Sequence, residues 1–104
     1  MEKFRYLKKV KSGNLPGAPG VYALSADREI LYIGKAVNLR ERVKNHFQRS
    51  SYRDNLFVDK VGRVGWIETS SEIDALLLES QLIKKHQPRY NVMWRDDKKY
   101  FSVV

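Results

Sequence analysis

A carboxylate, an arginine, two tyrosines, a lysine and an asparagine recur through this 104-residue chain as Glu79, Arg42, Tyr22, Tyr32, Lys35 and Asn91. Together they would suit the cleavage of a phosphodiester. That reaction needs a group to deprotonate the nucleophile, positive charge for a phosphorane-like transition state, and help for the leaving oxygen. One divalent cation on a carboxylate serves the last two needs.

Each residue also has an ordinary role. Glu79 has Ala75, Leu76, Leu82 and Ile83 at three and four positions away, so the spacing sets it in the middle of an apolar helical stripe. An uncompensated buried charge is expensive, so this carboxylate is expected to be paired with a cation, protonated, or bound to a metal. Arg42 and His46, one turn apart, flank a seam of Leu39 and Val43 at the margin between helix and sheet, where a cleft would open. Away from a cleft, Arg42 is a solvated helix cation and His46 a packing or surface residue. Tyr22 and Tyr32 are strand aromatics whose phenols matter only if both point into the same cleft. Gly34 and Lys35 look like the end of a phosphate-binding loop. EILYIGKA nevertheless lacks the first Gly and the Ser/Thr of GxxxxGK[ST], which argues against a nucleoside triphosphate site. Asn91, just after Pro88 in HQPRYNV, is either a turn residue or a polar contact to a ligand or catalytic group.

Charge narrows the partner. Lys and Arg number 20 against 12 Asp and Glu, a net charge of +8, which favours a polyanion, and nucleic acid fits better than a membrane. No window approaches the roughly 18 apolar residues of a spanning helix, and MEKFRYLKKVKSG has no apolar secretory core. A soluble, cytoplasmic domain is expected. Without cysteine there is no disulfide framework, thiolate zinc site or thiol nucleophile, so any metal must be held by oxygen or by His46 and His86.

The elements that must position these residues follow from periodicity. The length suits one core, and residues 1–14 are expected as a loosely held arm, with ordered structure beginning near Gly20 after the turn-rich SGNLPGAP. GVYAL and EILYIG, separated by SADR, read as an antiparallel hairpin. Alternation puts Tyr22 and Leu24 on one face of the first strand and Ile30 and Tyr32 on one face of the second; the register decides whether these faces coincide. Asn38 caps a helix whose Leu39, Val43 and Phe47 form a narrow apolar seam. A loop is expected around SSYRDN, and RVGWIE reads as the third strand. TSSEIDALLLESQLIKKHQP is the clearest helix, with Thr69 and Glu72 as a capping box and Pro88 as its stop. KYFSVV reads as a strand beginning, so residues 15–104 are expected to be one domain cut from a longer chain.

GVY at Gly20–Tyr22 and YIG at Tyr32–Gly34, ten residues apart, resemble the paired motifs of the GIY-YIG nucleases, with Val in place of Ile. The resemblance continues through GKAVNLRERVKNHF, EIDALLLESQLIKKHQPRYNV and RDDKKY, in the order seen in the amino-terminal domain of the bacterial excinuclease subunit UvrC. It covers nearly the whole chain, from Leu15 to Tyr100.

The resemblance implies an α+β fold, a small three-stranded antiparallel sheet flanked by helices, that cuts DNA with one divalent cation, Mg²⁺ or Mn²⁺. By motif, Glu79 would be the metal ligand, and Tyr22 and Tyr32 would surround the attacking water, one of them as base or hydrogen-bond partner. Lys35 would sit beside the tyrosines, Arg42 would neutralise the scissile phosphate, and Asn91 would hold the tyrosine network. His46 stands where the family often has Tyr. Lys35, Arg40, Arg42, Lys44 and His46 are the expected nucleic-acid contacts. In the excinuclease such a domain makes the incision 3′ to a lesion in nucleotide excision repair, and docking on the damage-bound helicase subunit uses regions outside these residues. The competing expectations are a stand-alone nuclease of recombination, phage or auxiliary repair, and a non-catalytic nucleic-acid-binding module.

Overall fold

The apolar runs GVYALS and ILYIGKA form strands β2 (Gly20–Ser25) and β3 (Ile30–Ala36), joined as the expected hairpin. The structure is a computed structural model and describes residues 3–48 and 57–92. Strand β4 (Arg63–Glu68), the expected RVGWIE, pairs antiparallel with β2 on its other side, so β2 is an inner strand and all six of its residues are buried. Arg5–Lys8, placed in the arm by sequence, forms strand β1 against β4. The sheet therefore has four strands, in the order β1-β4-β2-β3, rather than three. The fold class stands as α+β with an antiparallel sheet flanked by helices.

Register answers the question of faces. Leu24 pairs with Tyr32 and Tyr22 with Gly34, so both tyrosines lie on the same side of the sheet. Between Leu24 and Ser25 the register shifts, and Ser25 pairs with Ile30. The irregularity breaks simple alternation: Ile30 packs with Val21, Ala23 and Ile33, whereas Tyr32 packs with Tyr22 and Leu24. The expectation that Ile30 and Tyr32 share a face is thus corrected.

Each face of the sheet carries its own core. On the tyrosine face, helix α1 (Leu39–Gln48) lays fully buried Leu39 and Val43 over Tyr22, Leu24 and Val64, with Leu15, Phe57 and Tyr90 filling the margin. Each such aliphatic side chain contributes about 1.5–3 kcal/mol by leaving water. On the opposite face, helix α2 (Glu72–His86) sets Ala75 and Leu82 against Val21, Ala23, Ile33 and Ile67.

The caps explain where these helices begin and end. Asn38 Oδ1 accepts the Glu41 N–H at 3.1 Å, as expected for α1. For α2 the cap is Ser71, whose hydroxyl accepts the Asp74 N–H at 3.1 Å, and not the Thr69–Glu72 box. Thr69 is held in the preceding loop, its N–H donating to Pro19 O and its hydroxyl to Ser71 O. At the far end Gln87 takes a left-handed conformation with φ 46°, and its N–H returns to Ile83 O at 2.8 Å. Pro88 follows, and residues 89–92 are helical. That reversal carries the chain around the edge of β3: α2 packs on one face, while Tyr90 is buried in the core of the other.

The SSYRDN loop, the RDDKKY stretch and the KYFSVV strand lie outside the described residues. Among the described residues, no helix is long and apolar enough to cross a membrane.

Candidate active site

Tyr22 sits at the centre of the tyrosine face, and Gly34 is what lets it lie there. The two residues are cross-strand partners, and a Cβ added at Gly34 would fall 2.5 Å from the Tyr22 hydroxyl and 2.7 Å from its Cζ. A glycine inside a strand marks a place where another group approaches the backbone closely. The ring of Tyr22 therefore crosses β3, and its Oη lies 2.6 Å from Nε2 of His46 on α1. Tyr22 is fully buried and His46 is 5% exposed.

Tyr32, half-buried, completes an aromatic cluster. Ring centroids are 6.2 Å apart for Tyr22 and Tyr32, 5.4 Å for Tyr22 and His46, and 5.7 Å for Tyr32 and His46 in an edge contact. From Tyr32 the row continues to Phe57 at 5.9 Å, and Phe57 stacks on Tyr90 at 4.7 Å. The two tyrosine rings thus lie on one face of the sheet and pack together. His46, expected at the cleft margin as a phosphate contact, is instead enclosed against Tyr22.

Asn91 binds the backbone rather than a tyrosine. Its Oδ1 accepts the Ile33 N–H at 2.7 Å and its Nδ2 donates to Ile33 O at 2.8 Å. Because β3 is an edge strand, these groups face away from the sheet, and the amide closes the edge as a further strand would. Ile33 lies between Tyr32 and Gly34, so Asn91 sets the backbone from which the tyrosine geometry is built.

The charged residues divide between the two faces. Arg42 is exposed on α1, one turn before His46, and Lys44 is exposed on the same helix. Arg40 is also exposed, with its Nε donating to Leu15 O at 2.9 Å, which ties the helix to the preceding loop. Lys35 pairs with Val21, and alternation places it on the face that carries α2. Glu79 also belongs to that side. It is half-buried within the stripe that α2 turns to the sheet, one turn from both Ala75 and Leu82, while Ile73, Leu76 and Leu77 on the outer side remain exposed. Helix α1, which carries Arg42 and His46, and helix α2, which carries Glu79, flank opposite faces of the sheet, and the edge strand β3 between them carries Tyr32 and Lys35.

This donor set decides what cation it suits. Among the described residues no group of three or more His, Cys, Asp and Glu could hold a metal. A closed zinc site, which needs several protein ligands, does not fit. A single carboxylate does fit a hard cation such as Mg²⁺, which keeps several waters and binds through one or two carboxylates together with substrate phosphates. Glu79, half-exposed, is a carboxylate of that kind.

Two features escaped sequence reasoning: the role of Gly34 as the seat of Tyr22, and the Tyr22–His46 bond. Gly34 left a signal, since a glycine interrupts an otherwise β-branched and aromatic strand. His46 left only its place one residue before Phe47, beside the apolar seam.

Comparison with known proteins agrees with this fold. Residues 18–92 match the family model of the UvrC-like GIY-YIG domain. The chain is 48% identical over 90 residues to UvrABC system protein C of Natronomonas pharaonis, covering 86% of this chain and 16% of that protein. It is 46% identical over 101 residues to the same protein of Bacteroides fragilis, covering 94% and 16%. The chain thus spans about 16% of the length of these curated relatives. The crystal structure of the GIY-YIG N-terminal endonuclease domain of UvrC from Thermotoga maritima, bound to its catalytic magnesium, superposes with a TM-score of 0.72. The two are 29% identical, with 79% of this chain and 92% of that one covered. Tyrosine-to-phenylalanine and asparagine-to-alanine mutants of that domain, also bound to the divalent cation, superpose equally well. The family match, the antiparallel sheet and the seating of Tyr22 across Gly34 lead to one conclusion: this chain belongs to the UvrC-like GIY-YIG domain family.

Proposed function

We propose that this domain is a divalent-metal-dependent DNA endonuclease that hydrolyses a phosphodiester, acting in the cytoplasm as the 3′ incision activity of nucleotide excision repair. The observation that carries this reading is the cluster of Tyr22, Tyr32 and His46 packed under a helix that presents Arg42 and Lys44. The net charge of +8 and the similarity to UvrC endonuclease domains support DNA as the substrate.

Each residue takes a defined task. Tyr32, the less buried of the two tyrosines, orients the attacking water and accepts a hydrogen bond from it, with Tyr22 behind it. A free phenol has a pKa of about 10, so the site must draw the proton away for either tyrosine to act as base. Arg42 places its guanidinium against the scissile phosphate, and Lys35 adds positive charge from the other face of β3. Glu79 would hold one Mg²⁺ or Mn²⁺. Bound there, the cation supplies charge stabilisation to the transition state and the leaving oxygen. Asn91 keeps β3 in register beneath the tyrosines. Arg40 and Lys44 extend the phosphate footprint, and among the described residues nothing reads as a recognition helix for base edges, so sequence preference is low and the lesion is chosen by partners, including the damage-bound helicase subunit.

A nicking assay on supercoiled plasmid tests this. Open-circular product is expected with Mg²⁺ or Mn²⁺, none with EDTA, and none from Glu79→Gln, whose circular dichroism and thermal unfolding stay close to the parent's. DNA binding without nicking under either metal would favour the binding module, and undiminished nicking by a folded Glu79→Gln would remove the metal role.

A further inference from the structure

One rung crosses the whole sheet on the tyrosine face. Gly34 of β3 pairs with Tyr22 of β2, Tyr22 with Trp66 of β4, and Trp66 with Arg5 of β1. Cross-strand partners project to the same side of a sheet, so Tyr22, Trp66 and Arg5 stand in a row. Tyr22 is fully buried, Trp66 is half-buried against the tyrosine-face core, and Arg5 is exposed. The row thus runs from the core to the open surface at the β1 edge.

At its outer end Trp66 lines a cleft of about 320 Å³ together with Lys3, Arg5, Ile67 and Glu68. That volume lies at the lower end of the range for small-ligand sites. A strand tryptophan beside a core is ordinarily a packing residue. Here, however, the side chains that meet its open side from β1 and the residues before it are two cations, not the apolar groups that would finish its burial. Among the described residues, the side chains of Lys3, Arg5 and Glu68 make no hydrogen bond or ion pair. An aromatic ring, two cations and one carboxylate give the cleft a net charge of +1, which matches a single phosphodiester.

We propose that this cleft receives one unpaired nucleotide of a DNA strand: the base stacks on the Trp66 indole, and Lys3 and Arg5 hold its phosphate. Glu68, which only accepts, takes an N–H of the base edge that pairing no longer uses, and its charge disfavours a second phosphate. The proposal rests on the endonuclease reading above and names the substrate more closely, as a strand with an unpaired nucleotide a few positions from the cut. In an intact duplex each base is enclosed by its stacked neighbours and must leave the stack to meet a protein ring. An unpaired base of any sequence offers a π face to an aromatic side chain. The β1 edge lies three strand spacings from β3, about 15 Å, on the face that carries Tyr22 and Tyr32, so one strand of DNA can occupy both places.

The test is tryptophan fluorescence of the full chain in EDTA, where binding is read without cleavage. The sequence has two tryptophans, and Trp94→Phe leaves Trp66 as the only indole. A single-stranded oligonucleotide is expected to quench that indole saturably, by about half or more as a base stacks on it, and a closed hairpin duplex far less. Trp66→Ala should weaken single-strand binding by about tenfold or more and leave duplex binding within about twofold of the parent's. Trp66→Phe keeps a ring against the core and should retain most of the single-strand affinity, which separates lost stacking from lost folding. Arg5→Ala should reduce the salt dependence of single-strand binding by about one phosphate contact. A Trp66 emission indifferent to the single strand, or equal losses for single strand and duplex in Trp66→Ala, would overturn the proposal. Failure of the plasmid nicking assay would sink the nuclease reading, and these binding measurements would still decide the cleft.

Discussion

The side-chain amide of Asn91 satisfies both backbone polar groups of Ile33, at 2.7 and 2.8 Å, across 58 positions of sequence. Removing it leaves an N–H and a C=O at a partly buried edge without their partner, which costs about 1–3 kcal/mol. Asn91→Ala should lower the urea midpoint accordingly and speed hydrogen exchange at the Ile33 amide. Asn91→Asp should do much the same, since it keeps the acceptor but turns an oxygen toward the Ile33 carbonyl. Unchanged exchange at Ile33 in both variants would show that the clamp is not formed in solution.

Gly34→Ala is expected to damage the site through Tyr22. The new methyl would lie 2.5 Å from the phenol oxygen, so the ring must move or the hairpin must part. Overpacking of this kind costs about 1–3 kcal/mol, and the Tyr22–His46 bond should go with it. Thermal unfolding and the His46 nitrogen shifts read the two effects separately. A variant with native stability and native shifts would contradict the close packing described here.

On the proposed function, Arg42→Ala should reduce the cleavage rate far more than DNA affinity, because one cation is a small part of a basic footprint but would face the reacting phosphate. The salt dependence of binding should fall by about one phosphate contact. Equal losses in rate and affinity would make Arg42 a binding residue only.

What was legible in the sequence was whatever one element could express alone. The β2–β3 hairpin, the Leu39–Val43 seam, β4 and α2 all follow from period and composition. Strand β1 did not, because RYLK is charged at both ends and, as an edge strand, mostly exposed; only Gly65, with Phe4 and Tyr6 against it, marks where β1 lies. The face of Ile30 was hidden by the shift beside Ser25, which no local pattern announces. The place of Glu79 between Ala75 and Leu82 on the sheet-facing side of α2 was legible from spacing alone, because all three lie on one helix. The partners of Asn91 and His46 are distant in sequence and include a backbone, so residue type alone could not name them.

Deleting residues 1–8 should therefore destabilise the domain rather than trim an arm. The deletion would uncover the outer edge of β4 and the packing of Phe4 and Tyr6 over Gly65. A lower melting temperature and concentration-dependent association, seen by light scattering, are expected, since an open edge invites pairing with another chain. An unchanged melting temperature would return these residues to the role of a loose appendage.

The central claim is that Glu79 holds the cation of a one-metal nuclease, and a Mn²⁺ soak of crystals with anomalous data tests it most directly. The account predicts a single strong peak within coordination distance of the Glu79 carboxylate, lost in Glu79→Gln crystals. Peaks only at other sites, with the Glu79 carboxylate engaged by a lysine or arginine, would contradict it.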